Sequence, residues 1–276
     1  MTDLLRALRR NRLALAGGII LCILTIVAIF GPLLTPSDPF LARMPLRLRP
    51  PSCTNLFGTD SLGRDVLSRV IHGSRVSLKS GFLVVCISSV VGIFLGVAAG
   101  YSAKATDAIL MRFVDFLLAF PSLLLAILIV AILGPGLNNA ILAVSIAYIG
   151  PVARLARGVT IKVKGYEFVE AARASGGGRC HIVLRHIMPN ILSPLIVQIA
   201  LNLGGAIVDI AGLSFIGLGA RPPVPEWGAM LASGRRYIRI AWWLTTFPGI
   251  AIMASVLACV FIGDGVREIL DPKYRS

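Results

Sequence analysis

Few side chains in this sequence could do chemistry. His72, His181 and His186 all fall outside the long apolar blocks, and no CxxC or His/Cys cluster suggests a metal. Cys22, Cys86 and Cys259 lie inside apolar blocks and read as small hydrophobic side chains. In Gly212-Leu213-Ser214-Phe215-Ile216-Gly217 a serine lies between glycines, but the second glycine falls one place late for GxSxG. No apolar block supplies a histidine as its base, so an intramembrane protease is disfavoured. A GxxxxGK[ST] loop is missing, and phosphate cradling of that kind must come from another chain. What remains is Gln198, Asn202 and Asp209, all within one long apolar block. Spacings of four and seven put them near one helical face. A charge in such a block marks a pathway in many membrane proteins. A polar strip lining a passage is one reading, and interhelical hydrogen bonding is the other.

The elements that hold these residues are membrane spans. The chain has 276 residues, 56% hydrophobic and only 14% charged, where a soluble domain carries nearer a quarter. Gly81 to Gly100 has no ionisable side chain except Cys86 and no polar face. Twenty helical residues rise about 30 Å, the thickness of a bilayer's hydrocarbon core. Six such blocks follow in order: Leu13–Leu34, Gly81–Gly100, Phe113–Leu133, Leu137–Val152, Ile191–Leu218 and Ala241–Ile262. The fold class is therefore all-α, a polytopic membrane protein with six transmembrane helices. Gly92, Gly96 and Gly100, four apart, make a stripe that lets another helix approach closely. Pro121 lies inside the third block, Pro151 ends the fourth, and Gly204-Gly205 invites a bend in the fifth. Trp242 and Trp243 read as interface anchors for the sixth.

Three regions follow from this. Residues 1–34 hold an amphipathic helix (Met1–Arg12) and the first span. Residues 35–79 cannot cross lipid, with prolines at 36, 39, 45, 50 and 51, but end in an amphipathic helix in which Asp65 and Arg69 make an i,i+4 pair. Residues 80–276 form a core of five spans. Six spans put both termini on one side, and Arg6, Arg9, Arg10 and Arg12 ahead of the first span make that side the cytoplasm. The net charge of +14 is then explained by membrane lipid, because basic residues flank apolar blocks. No basic helix with interleaved aromatics points to nucleic acid. Arg112 and Asp115 read as a local i,i+3 pair. The longest cytoplasmic segment is 153–189, a basic, helix-compatible loop broken by Gly176-Gly177-Gly178 and able to dock another protein.

That loop reads Glu170-Ala171-Ala172, then Gly176, then His186-Ile187-Met188-Pro189. It resembles the EAA loop of ABC importer permeases, with Met188 where a leucine is usual. Asn55 to Leu78 resembles the GTDxxGRDxxSR segment of the dipeptide, oligopeptide and nickel permeases, with Asn55-Leu56 replacing the common His-Pro. Asp107 to Ile127, Leu213 to Gly219 (LSFIGLG), Pro222 to Leu231 (PPVPEWGAML), Gly263-Asp264-Gly265 and Asp271-Pro272 are similar to that family in the same order. The resemblance is to the C-type subunit.

The resemblance implies a permease that is not itself an enzyme and carries no cofactor. ATP and Mg would be held by two ATPase subunits. A second, homologous permease and an extracytoplasmic substrate-binding protein complete the expected set of partners. Peptides are the implied cargo, with nickel or a metal chelate as the alternative. The implied contact with the ATPase is Glu167, Glu170, Ala171, Ala172 and Gly176. Alanines give the low profile that close packing needs, the glutamates favour a helix start, and Gly176 suits the left-handed conformation that ends a helix. The family often carries an acid one place beyond Asp209, where this chain has Ile210, so no role transfers to Asp209. A secondary transporter acting alone would show an internal repeat with matched broken helices, and none is visible.

Overall fold

The computed structural model describes residues 12–270. The amphipathic helix expected at Met1–Arg12, and Asp271-Pro272, lie outside the described residues apart from Arg12. Among the described residues ten α-helices follow one another: α1 (Arg12–Leu34), α2 (Val66–Tyr101), α3 (Lys104–Leu118), α4 (Ser122–Leu133), α5 (Leu137–Lys164), α6 (Glu167–Ala174), α7 (Arg179–Ile182), α8 (Met188–Phe215), α9 (Trp227–Gly234) and α10 (Trp243–Leu270). Among the described residues five helical stretches are long and apolar enough to cross a membrane, beginning at Arg12, Val66, Leu137, Arg179 and Trp243. A sixth crossing is made if α3 and α4, bent by 90°, count as one broken span.

The third span is thus not the single helix expected over Phe113–Leu133. Pro121 disfavours helix at Phe120 and cannot donate to the preceding turn. Its own carbonyl instead accepts Leu125 N at 3.0 Å, which starts α4. Pro151 has the opposite outcome. The fourth span was expected to stop there, but α5 runs on to Lys164. The reason is the glycine stripe of α2. A Cβ at Gly92 would stand 2.8 Å from Val152 Cβ, one at Gly100 would stand 2.9 Å from Thr160 Cβ, and one at Gly96 would run into the Ala153 carbonyl. Close packing on both sides of the proline keeps the helix continuous. The segment 153–189 is accordingly helix at its start and only later a connection.

Other junctions also differ from expectation. The amphipathic helix and second span are one helix, α2, which at 36 residues is about 54 Å long. Asp65 does not pair with Arg69 but caps α2, accepting Ser68 N at 2.8 Å. Its other oxygen accepts Asn55 Nδ2 at 2.9 Å. Arg69 turns instead to the Pro39 carbonyl at 3.0 Å and lies 3.7 Å from Asp60. Gly204-Gly205 does not break α8. Gly204 lies against Val256 and Cys259 of α10, and Gly205 against the Tyr148 hydroxyl, so both serve close approach. Trp242 is exposed as an anchor would be, but Trp243 is buried and donates to the Thr59 carbonyl at 3.1 Å.

Candidate functional site

The short helix α6 stands out because so little of it is covered. Glu167, Phe168, Glu170, Ala171, Arg173 and Ala174 are exposed, Ala172 is half-buried and Val169 is fully buried. Both glutamates fall in the first turn, where the helix dipole favours negative charge. Gly176 has φ +83°, as the expected left-handed cap requires. Gly177 N donates to Ala172 O and Gly176 N to Arg173 O, each at 3.0 Å, the paired bonds of a Schellman stop. Rings of Tyr166, Phe168, His186 and His181 run beside the helix, with neighbouring centroids 5.7 to 6.3 Å apart. His186 lies in the π-helical turn Val183–Ile187 that leads into α8.

The five residues singled out on this element face two ways. Glu167, Glu170 and Ala171 point away from the chain. Ala172 packs instead on a buried cluster of Val97 from α2, Val152, Ala156 and Val163 from α5, Val169, and Ile191 and Leu195 from α8. A push on α6 would therefore be felt by three of the long helices.

The polar face of α8 divides as well. Gln198 Nε2 donates to Asn202 Oδ1 at 2.8 Å. Asn202 Nδ2 is buried and has no partner among the described residues. Asp209, further along the same face, accepts from Ser122 Oγ at 3.2 Å and from the Tyr148 hydroxyl. The carboxylate thus joins the first residue of α4 to the middle of α5, beside the 90° break. At the other end of the broken span, Arg112 is not the partner of Asp115. Arg154 of α5 pairs with Asp115, and Arg157 clasps Asp107 through two bonds of 2.6 Å. The two-pronged guanidinium geometry favours this interhelical clamp over a pair within one helix.

Sequence reasoning missed Glu226. It is fully buried and caps α9, accepting Gly228 N at 3.0 Å and Ala229 N at 2.9 Å. Ser77 of α2 donates to it at 3.1 Å, and Ser214 of α8 donates as well. Burial pushes its carboxyl above the usual range, while the donors pull it back. The signal was present as an acid directly ahead of a short helix pattern. Ser214 is therefore a structural hydroxyl, 2% exposed, and not a nucleophile. The glycines around it form a second Schellman stop, with Leu218 N on Leu213 O at 2.8 Å and Gly217 at φ +87°.

The described residues form a helical membrane protein with a bent helix pair and a short, largely exposed helix on a packed core. The chain belongs to the binding-protein-dependent permeases of ABC importers, in their C-type peptide branch. Residues 92–276 match the family described as the binding-protein-dependent transport system inner membrane component, and residues 1–51 match the N-terminal transmembrane domain of oligopeptide transport permease C. The chain is 45% identical, over 98% of its length and 89% of the relative's, to the dipeptide transport system permease protein DppC of Alkalihalophilus pseudofirmus. It is 44% identical to the di/tripeptide transport system permease protein DppC of Pseudomonas aeruginosa, covering 96% of this chain and 90% of that one. Identity to the glutathione transport system permease protein GsiD of Pectobacterium atrosepticum is 42%, covering 98% and 90%. In fold it is similar to an inward-facing structure of the MetNI methionine ABC transporter. That match has a TM-score of 0.59 and 20% identity, and covers 74% of this chain and 97% of that one.

Proposed function

We propose that this permease moves peptides across the cytoplasmic membrane by alternating access, with α6 as its contact to a separate ATPase subunit. The observation that carries the reading is the two-faced character of α6. One face is exposed and carries Glu167, Glu170 and Ala171 beside Phe168 and Arg173, and the other is locked by Val169 and Ala172 onto α2, α5 and α8. Such an element can pass the closure of two ATPase subunits, which hold ATP and Mg, to the spans. ATP can drive the switch only because it binds the two states differently. A homologous second permease and an extracytoplasmic binding protein complete the transporter. Peptides are preferred to nickel because the similar relatives are named for dipeptides, di/tripeptides and glutathione.

In this reading both termini are cytoplasmic, and the chain divides into residues 1–34, 35–79 and 80–276, with the second boundary falling inside the continuous helix α2. Glu167, Glu170, Ala171 and Gly176 serve the ATPase contact, and Ala172 transmits it inward. Gln198, Asn202 and Asp209 form the polar side of the passage.

The test is a pair of variants in the reconstituted transporter. Ala171→Trp adds bulk on the exposed face, and Gly176→Val strains a position at φ +83°. Both should insert normally, and both should lose ATPase stimulation by loaded binding protein together with peptide uptake. Ala172→Trp should differ, lowering the amount of folded permease, because overpacking a core typically costs about 1–3 kcal/mol. Normal coupled uptake in the first two variants would remove α6 from the contact.

A further inference from the structure

The turn ahead of α2 buries more positive charge than negative. Gly63 holds φ +73°, and a Cβ there would run into the Arg43 carbonyl, so the turn needs glycine. Asp60 fixes the turn from within. Its Oδ1 accepts Leu62 N at 2.8 Å and Arg64 N at 2.9 Å, and its Oδ2 accepts Arg64 Nε at 2.6 Å. Arg69, one turn into α2, approaches the same Oδ2, but its Nε stands 3.7 Å away, beyond hydrogen-bond reach. Arg69 Nη1 donates instead to the Pro39 carbonyl at 3.0 Å. Asp60, Arg64 and Arg69 are only 9%, 8% and 6% exposed.

Two guanidinium groups are thus buried against a single carboxylate whose oxygens already have donors. Arginine is rarely buried without a matching charge, because an uncompensated buried ion is costly. Asp65, the next acid along the chain, is engaged elsewhere. Its oxygens accept Asn55 Nδ2, Ser68 N and Ser68 Oγ. Between the turn and the end of α9 lies a cavity of about 20 Å³, whose wall includes Asp60, Ser61, Arg64, Arg69, Ser233 and Gly234. Among the described residues Asp60 is the one acid on that wall. The Ser233 hydroxyl donates to the Ala229 carbonyl at 2.8 Å, so the side-chain donors left to the cavity are the two guanidinium groups and Ser61.

Charge and size together decide the occupant. The surplus guanidinium calls for an anion, and arginine's several N–H groups can share one acceptor. A single water needs about 10–15 Å³ of such space, so this cavity takes a guest of one heavy atom and excludes a peptide or a lipid headgroup. We propose that the cavity is a halide site, in which chloride lies between Arg64 and Arg69 and neutralises the surplus charge where segment 35–65 sits on α2. The site serves the fold and is independent of the cargo.

The experiment uses the full chain, purified in detergent with gluconate as the anion, which is too large for the cavity. Chloride or bromide is titrated in, with gluconate keeping ionic strength constant so that general screening does not change. An anion that binds the folded chain raises Tm saturably, here by about 4 °C with the site filled. Arg64→Gln leaves one guanidinium for one carboxylate and should abolish the saturable rise. Arg49→Gln, exposed and off the cavity wall, should keep it. If Arg64→Gln does not fold, the unaltered chain decides alone. Crystals grown in bromide should show an anomalous peak between the two guanidinium groups. Lack of a saturable rise in the unaltered chain, or an equal rise in Arg64→Gln, would overturn the proposal. So would density there without anomalous signal, which would make the occupant water.

Discussion

Gly176 and Gly217 end their helices by the same pair of backbone bonds and both are exposed, yet Ser214 beside the second is folded into a buried node. The first could be read from the sequence, because a glycine after Glu-Ala-Ala at helical spacing needs only local geometry. The second could not. Its serine looked like fragmentary chemistry until Glu226, twelve residues later, was seen to take its hydroxyl. A buried acid bonded to α2, α8 and α9 is a tertiary fact, and no local pattern encodes which distant serines will meet it. Asp209 shows the same limit. Its helical face was legible, but its bonds to Ser122 and Tyr148 depend on where the broken span turns. Asp209→Asn keeps an acceptor for these hydroxyls and should leave assembly intact. It should lower uptake of cationic dipeptides more than neutral ones. Asp209→Leu leaves both hydroxyls without their acceptor, at about 1–3 kcal/mol for each group left unsatisfied, and should reduce assembly. Equal loss of cationic and neutral uptake in Asp209→Asn would make the residue structural only.

At the scale of elements, two prolines in similar apolar runs have opposite effects. Pro121 breaks its span by 90°, whereas Pro151 lies within the continuous helix α5. Sequence alone marks both as breakers. The difference comes from the partner helix, since the glycines of α2 let α5 pack closely on both sides of Pro151. The glycine stripe itself was legible from its spacing of four, but its partner was not. Gly96 is the tightest point, where any Cβ meets the Ala153 carbonyl, so backbone would have to move. Gly96→Leu should separate α2 from α5 and destabilise the permease by about 1–3 kcal/mol or more. Thermal unfolding of the detergent-purified protein measures this, with Gly18→Leu as the control, since Gly18 has nothing within 4 Å of an added Cβ. Similar stability of the two variants would show that the stripe is not a packing surface.

At the scale of the whole molecule, the number of crossings and the family were legible because apolar length and ordered motifs are properties of the chain itself. The orientation rests on basic residues that flank the spans, and it can be tested directly. Cys53 and Cys180 are both exposed, in segments proposed to lie on opposite sides. With each kept as the sole cysteine, an impermeant thiol reagent on intact spheroplasts should label Cys53 and spare Cys180. The reverse pattern would invert the topology and place α6 outside, away from any ATPase.

The division of labour between chains is tested by uptake into proteoliposomes. Labelled dipeptide should not accumulate when this chain is present alone, with or without ATP. It should accumulate against its gradient once the second permease, two ATPase chains, binding protein and ATP with Mg are supplied. It should stop again when Ala171→Trp replaces the unaltered chain. Uphill uptake by the lone permease, or full uptake with the Ala171→Trp variant, would contradict an importer driven through α6.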